Sequence, residues 1–214
     1  KMITIHSFTF NPFQENMYLL FDETKECVVI DPGCYEKQEK EKLISYIATN
    51  NLVPKRLLNT HCHIDHVFGN KLVSETYKLG LEMHEADLPV LESVAQVAQV
   101  YGIPNVDESP KPISFLAEGD KINFGNSELD ILFVPGHAPG HIAFVNHKQK
   151  FIIGGDVLFY SSIGRTDLPG GDHATLIESI RTKFLTLDND YEVYTGHGQK
   201  TTIGFEKMNN PFLQ

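Results

Sequence analysis

The sequence predicts an α/β protein of four layers, helix, sheet, sheet, helix, built from two similar halves. Short β-rich runs bounded by turn signals open the chain, and helical periodicity follows them. After one Pro-rich break, IPNVDESPKP at residues 103–112, the order of strands and helix begins again. Strands first and helices outside, twice over, imply an αββα sandwich in which the two sheets face each other. We expect a single domain over residues 2–214, with halves at about 2–105 and 112–214.

The elements follow in order. ITIHSFTF, MYLLF and CVVI, separated by turn-prone NPFQEN and DETKE, read as antiparallel strands, and Asp31-Pro32-Gly33 stops the third. Leu43, Ile44 and Ile47 share one face of a helix over residues 36–50, whose solvated first turns are EKQEKEK. RLLN, residues 56–59, is a short buried strand leading to His61, which completes a β-α-β unit. Residues 67–80 read as a helix, LEMH as a strand, and residues 85–101 as a second helix with Val90, Leu91, Val94, Val97 and Ala98 inward. In the second half SFLA, KINF, LDILFV, IAFVN and FIIG read as strands, HATLIESIRTKFLTL as a helix and EVYTG as the last strand.

Composition narrows the function. With 214 residues and 41% hydrophobic content, the chain fills an ample core without staples. It has no apolar stretch of about 18 residues and its start lacks a secretory layout, so we expect a cytoplasmic protein with no membrane partner. Lys1 ahead of Met2 reads as a leftover before the natural start and carries no functional argument. Cys27, Cys34 and Cys62 are odd in number and lack CxxC spacing, which argues for reduced thiols. Acidic residues outnumber basic ones 28 to 18, and no basic run interleaves with aromatics, which excludes nucleic acid as a partner.

The sharpest signal is THCHIDH at residues 60–66. In extended chain alternate side chains share a face, so His61 and His63 can converge on one ion while Cys62 points the other way into packing. Asp65 and His66, at the turn into a helix, are placed for a second ion nearby. His137 in FVPGHAPGH, Asp156 in FIIGGDVLF and His197 in VYTGHGQ each sit just past a strand beside glycine, where α/β scaffolds assemble sites.

HxHxDH followed by a GH, a GD and a GH resembles the metallo-β-lactamase superfamily over essentially the whole chain. Within it, DVLFYSSIGRTDLPGGDHATLIESI and TGHGQKTTIGFEKMNNPFL resemble the single-domain glyoxalase II-like hydrolases. The resemblance implies His61, His63 and His137 on one metal, Asp65, His66 and His197 on a second, and Asp156 bridging. Asp65 and Asp156 are then the carboxylates expected to take part in catalysis. Two divalent ions about 3.5–4 Å apart would make hydroxide available near neutral pH for attack on a thioester carbonyl. Nitrogen and carboxylate ligands suit zinc first, and also iron or manganese. The implied partner is a small-molecule thioester of glutathione or another thiol, handled by a monomer or homodimer.

Other residues support the site less directly. Asp31 is a candidate to orient a metal-bound histidine, or a turn former; His141 is read as holding its turn. His6, His84, His147 and His173 are given no role in the site, His173 reading as a helix start. Arg165 and Asp167 in GRTD should overhang the metals, to meet a substrate carboxylate or simply to pair and fix the loop. They stand where glyoxalase II proper carries a Lys and a Tyr that hold glutathione, and that group's helical C-terminal domain has no counterpart in these residues. The competing readings are a persulfide dioxygenase with one iron on His61, His137 and Asp156, which shares HxHxDH and GRTD, and a non-catalytic metal-binding module. Seven His and Asp positions leave coordination open for water, unlike a closed structural site.

Overall fold

The computed structural model describes residues 2–214; Lys1 lies outside the described residues. The first sheet consists of β1 (Thr4–Phe10), β2 (Glu15–Phe21), β3 (Glu26–Ile30), β4 (Val53–Leu58), β5 (Leu81–Met83) and β6 (Pro112–Phe115), side by side in that order. The second holds β7 (Lys121–Phe124), β8 (Ser127–Phe133), β9 (Ile142–Asn146), β10 (Phe151–Gly155), β13 (Glu192–Thr195) and β14 (Thr201–Thr202), with β10 between β9 and β13. Each sheet begins antiparallel and turns parallel, at β3–β4 and at β10–β13. A parallel neighbour needs a crossover, supplied by α1 (Lys37–Thr49) in one half and α6 (His173–Ser179) in the other.

Three apolar layers separate four structural ones, because residues alternate faces along each strand. Met17, Leu19 and Val29 point toward Leu43 and Ile47 of α1. Their neighbours Tyr18, Leu20, Val28 and Ile30 face Ile131, Phe144 and Ile153 of the other sheet. On the far side, Val145, Ile152 and Val193 pack on Leu176, Ile180 and Phe184. The αββα sandwich read from the sequence is the fold. Its helix starts also hold: Glu36 closes a capping box with Glu39 ahead of α1, and the Asp172 carboxylate caps α6, which begins at His173.

Four details differ from the sequence reading. The SFLA segment, expected to open the second half, contributes Ser114 and Phe115 to β6, which closes the first sheet beside β5; Pro112 at the strand's first residue on a sheet edge removes no needed ladder donor. The helix expected over residues 67–80 is two pieces, α2 (Ile64–Val67) and α3 (Asn70–Tyr77), because the Gly69 amide leaves the helix to donate to Pro32 O at 2.7 Å. The helix expected over 85–101 is a short 3₁₀ turn followed by α4 (Leu88–Glu92) and α5 (Val94–Tyr101), broken at Ser93, whose hydroxyl turns back on Val90 O. The helix expected over 173–187 leaves α geometry after Ser179 and continues as a wider turn over Ile180–Phe184. The hairpin β11 (Leu158–Phe159) and β12 (Ser162–Ile163), and α7 (Ile203–Asn209) capped by Thr202, are elements that the sequence reading did not assign.

Among the described residues no helix is long and apolar enough to cross a membrane. Cys27, Cys34 and Cys62 are all buried and unpaired. Burial pushes the thiols of Cys27 and Cys34 up to about 12 and that of Cys62 well above its usual range. Because the thiolate is the reactive form, all three should be inert in the native protein. A disulfide-exchange reagent at mildly alkaline pH should therefore release almost no chromophore from the folded chain and close to three equivalents in guanidinium; rapid native labelling of any of them would contradict this packing.

Candidate metal centre

Each side chain of the centre follows the end of a strand. His61 and His63 lie beyond β4, His137 beyond β8, Asp156 at the end of β10 and His197 beyond β13, while Asp65 and His66 ride on α2. The backbone is shaped for close approach. Gly155 has φ +56°, and a Cβ there would lie 2.6 Å from His141 Nε2; a Cβ on Gly196 would collide with Asp156 Oδ1.

The structure brings together all seven side chains that the sequence nominated. Ligand-type atoms of His61, His63 and His137 lie within 4.8 Å of one another, as do those of Asp65, His66, Asp156 and His197. The two groups meet at Asp156. Its Oδ2 is 3.8 Å from His61 Nε2 and 3.5 Å from His137 Nε2, while its Oδ1 is 3.3 Å from His66 Nε2. His197 Nε2 lies 3.0 Å from Asp65 Oδ2 and 3.3 Å from Asp156 Oδ2.

The residues present fit a pair of cations. His61 Nε2, His66 Nε2 and Asp156 Oδ1 are buried with no hydrogen-bond partner, and all face the same space. Buried polar atoms are rarely left unpaired, so these three call for a partner in that space. Protonation suits ligation too. Burial lowers the pKa of His61 and His137, and takes His63 down to about 4, so these imidazoles are neutral. Burial alone opposes the charged forms of Asp65 and Asp156, yet the His66 imidazolium and the hydrogen bond from His197 hold both carboxyls below their usual range. Burial likewise opposes charge on His66, but Asp65, Asp156 and Asp31 together raise it well above normal; His197, hydrogen-bonded to Asp156 and Asp65, is pushed up to about 10. Protons on these two imidazoles occupy the place where the carboxylates demand positive charge.

The outer faces of the imidazoles are held by hydrogen bonds, which fixes which nitrogen points inward. His66 Nδ1 bonds Asp31 Oδ2 at 2.9 Å, His137 Nδ1 bonds Arg165 O at 2.7 Å, and His197 Nδ1 bonds Phe13 O at 3.1 Å. Asp31, whose φ is +52°, also accepts from the Thr60 amide at 2.7 Å and hydroxyl at 2.6 Å. It is thus an orienting carboxylate as well as a turn residue. His141 stacks on His61 and accepts the Asp156 amide at 3.1 Å, so it holds the strand end that carries the shared carboxylate. His84 caps the 3₁₀ turn, and His6 stacks on Tyr46, both away from the centre.

Sequence reasoning missed three supporting residues. Asp87, fully buried, accepts from the Cys62 amide at 2.6 Å and the Gly140 amide at 2.7 Å, tying the HCH segment to the His137 turn; burial pushes its carboxyl up to about 6. Asn16 donates to Thr195 O and Gly198 O on either side of His197. Glu15, buried with both oxygens unpaired, lies 3.5 Å from His66 Nδ1, and burial raises it well above the carboxylate range. No local pattern marks these residues, because each acts on a loop distant in sequence.

Arg165 reaches the rim of a cavity of about 850 Å³ whose floor is formed by His63, Asp65, His137, Asp156 and His197. Its guanidinium forks onto Asp167, with Nε–Oδ1 at 2.6 Å and Nη2–Oδ2 at 2.8 Å. Asp167 is exposed, and its side chain is engaged with Arg165 rather than lining the cavity.

Three comparisons bear on this geometry. The family model described as "Metallo-beta-lactamase superfamily" matches residues 10–197. The hydroxyacylglutathione hydrolase GloC of Haemophilus influenzae is 44% identical over 204 residues, covering 94% of this chain and 93% of that protein. Two crystal structures superpose closely: BLEG-1, a B3 metallo-β-lactamase, with TM-score 0.89 at 34% identity over 99% of this chain and all of that one, and TTHA1623 in a di-iron-bound form, with TM-score 0.87 at 38% identity over 97% and all of it.

Asn at position 31 tolerates a left-handed backbone, so Asp31→Asn removes the charged acceptor behind His66 without straining the turn. We expect it to weaken metal retention about 10–100-fold, read by competition with a chromogenic chelator, with the far-ultraviolet dichroism unchanged. Undiminished affinity would show that Asp31 does not orient His66.

Proposed function

The chain belongs to the metallo-β-lactamase superfamily of metal-dependent hydrolases, and on that premise we propose that it is a glyoxalase II-like thioester hydrolase with a binuclear centre. The observation that carries the reading is Asp156: one carboxylate facing both ligand groups, with unpaired buried atoms on either side of it. A closed structural site has four ligands and no open cavity above them, whereas here seven side chains gather and five of them, His63, Asp65, His137, Asp156 and His197, line the floor of one.

His61, His63 and His137 would hold one ion, Asp65, His66 and His197 the other, and Asp156 both. When bound, the pair would supply water acidified to near neutral pH and a Lewis acid for negative charge developing on a carbonyl oxygen, a role zinc, iron or manganese can fill. Asp65, whose Oδ2 lies 3.0 Å from His197 Nε2 and whose carboxyl is held below its usual range by His66, would take a proton from the attacking water. Water adds to the acyl carbon, the carbon–sulfur bond breaks, and the thiol leaves with the remaining proton. His66 is kept in place by Asp31, and His137 by the Arg165 carbonyl, so the same loop that rims the cavity also sets one imidazole. Sequence similarity to a hydroxyacylglutathione hydrolase supports the acyl-thiol substrate class, and three buried unpaired thiols support a reducing compartment, the cytoplasm.

Metal content by plasma mass spectrometry on protein purified without added metal, paired with thiol release from S-D-lactoylglutathione, tests this. About two divalent ions per chain, with turnover abolished by a chelator and restored by metal, is the expected result. One iron per chain, with oxygen consumption on a persulfide and no thiol release, would overturn it in favour of a dioxygenase; hydrolysis of a β-lactam alone would overturn it in favour of a lactamase.

A further inference from the structure

The walls of the cavity differ in chemistry from its floor. The sequence places Val90, Leu91, Val94, Val97 and Ala98 on an inward helical face, and all five belong to or pack against the core, Val94 and Ala98 buried and the others half-buried. Val90 and Val97 are half-buried along the cavity, and the apolar surface runs on past the core through Val100, 77% exposed, and Tyr101, 46% exposed, both lining it. Phe13, its ring 6.0 Å from that of Tyr101, closes this side. Across the opening, Phe159 stands 6.0 Å from the His197 ring, with Ile163 and Leu168 beyond it. Valines held out toward water on a surface helix cost solvation unless something apolar covers them.

Fixed positive charge on these walls is sparse. Among the described lining residues the sole Arg or Lys is Arg165, and the Nε–Nη2 edge of its guanidinium is paired with Asp167. A tripeptide thiol carrying two carboxylates and an ammonium would therefore lay charge against aliphatic carbon, in a protein whose own net charge is −10. The floor of the same cavity is the metal centre, so whatever lies against α5 is joined to the reacting carbonyl.

We propose that the preferred substrates are thioesters whose arm beside the reacting carbonyl is an uncharged apolar chain seated between α5 and the Phe159–Leu168 segment, rather than hydroxyacyl esters of an anionic thiol. This rests on the thioesterase reading above. Because the arm's burial persists through the transition state, it should appear in kcat/KM.

The test uses the metal-loaded full chain and four probes: octanoyl-, butyryl- and D-lactoyl-N-acetylcysteamine, and S-D-lactoylglutathione. We expect kcat/KM to rise with chain length, octanoyl exceeding both lactoyl esters by about tenfold or more. Val97→Asp should bring the octanoyl-to-lactoyl ratio close to unity, chiefly through a higher KM for the octanoyl ester. Val100→Asp, at an exposed position that leaves the core intact, should lower the ratio in the same direction. Turnover of S-D-lactoylglutathione equal to or above that of the octanoyl ester, or a ratio insensitive to both substitutions, overturns the inference and leaves thioester hydrolysis standing. Thiol release from none of the four overturns the thioesterase reading itself, and the inference with it.

Discussion

Four carboxyl groups, Glu15, Asp31, Asp65 and Asp156, crowd around His66, a residue with no exposed surface. Ionised carboxylates taken out of water are costly unless paired, and here one imidazole cannot satisfy all of them. The surroundings divide the burden. Burial raises Glu15 well above the carboxylate range, Asp31 spends its oxygens on Thr60 and His66, Asp65 turns Oδ2 to His197, and Asp156 is left with a buried, unpaired Oδ1. That residual demand for positive charge is the constraint that the rest of the architecture accommodates.

Meeting it requires loops that do not move. The parallel registers of β3–β4 and β10–β13 bring successive strand ends to one edge of the sandwich, where His61, Asp156 and His197 emerge. Side chains then bind loop to loop: Asp87 joins the Cys62 and Gly140 amides, Asn16 spans the His197 loop, and His141 receives the Asp156 amide. Each bond crosses from one strand end to another. Side chains lodged in such a lattice lose little further freedom on binding a ligand, which is the physical content of preorganisation.

How much of this was legible in the sequence depended on the range of the interaction. β-rich runs bounded by turn signals revealed β2 and β3, and the two-residue spacing of His61 and His63 revealed convergence, because both are local features. Glycine next to His137, Asp156 and His197 was a usable sign for the same reason. Asp87 and Glu15 were silent, since a carboxyl that acts 25 residues away, or by burial alone, leaves no pattern around itself. Periodicity also found the inward face of α4 and α5, whose Val90, Leu91, Val94, Val97 and Ala98 belong to or pack against the core, but not that the same helices also wall a cavity. The helix breaks at Gly69 and Ser93 went unread because each depends on a carbonyl or hydroxyl contact visible only once the chain is folded.

The centre draws His61, His63, Asp65 and His66 from one sheet's loops and His137, Asp156 and His197 from the other's, over about 136 residues of chain. No segment can assemble it alone: the site exists only where both sheets are docked across Ile30, Phe144 and their neighbours. Ions captured there would act as rivets between the halves, selectively slowing the opening of the sandwich while doing little for its initial collapse. The same atoms that prepare a reaction would thereby govern how long the native state lasts.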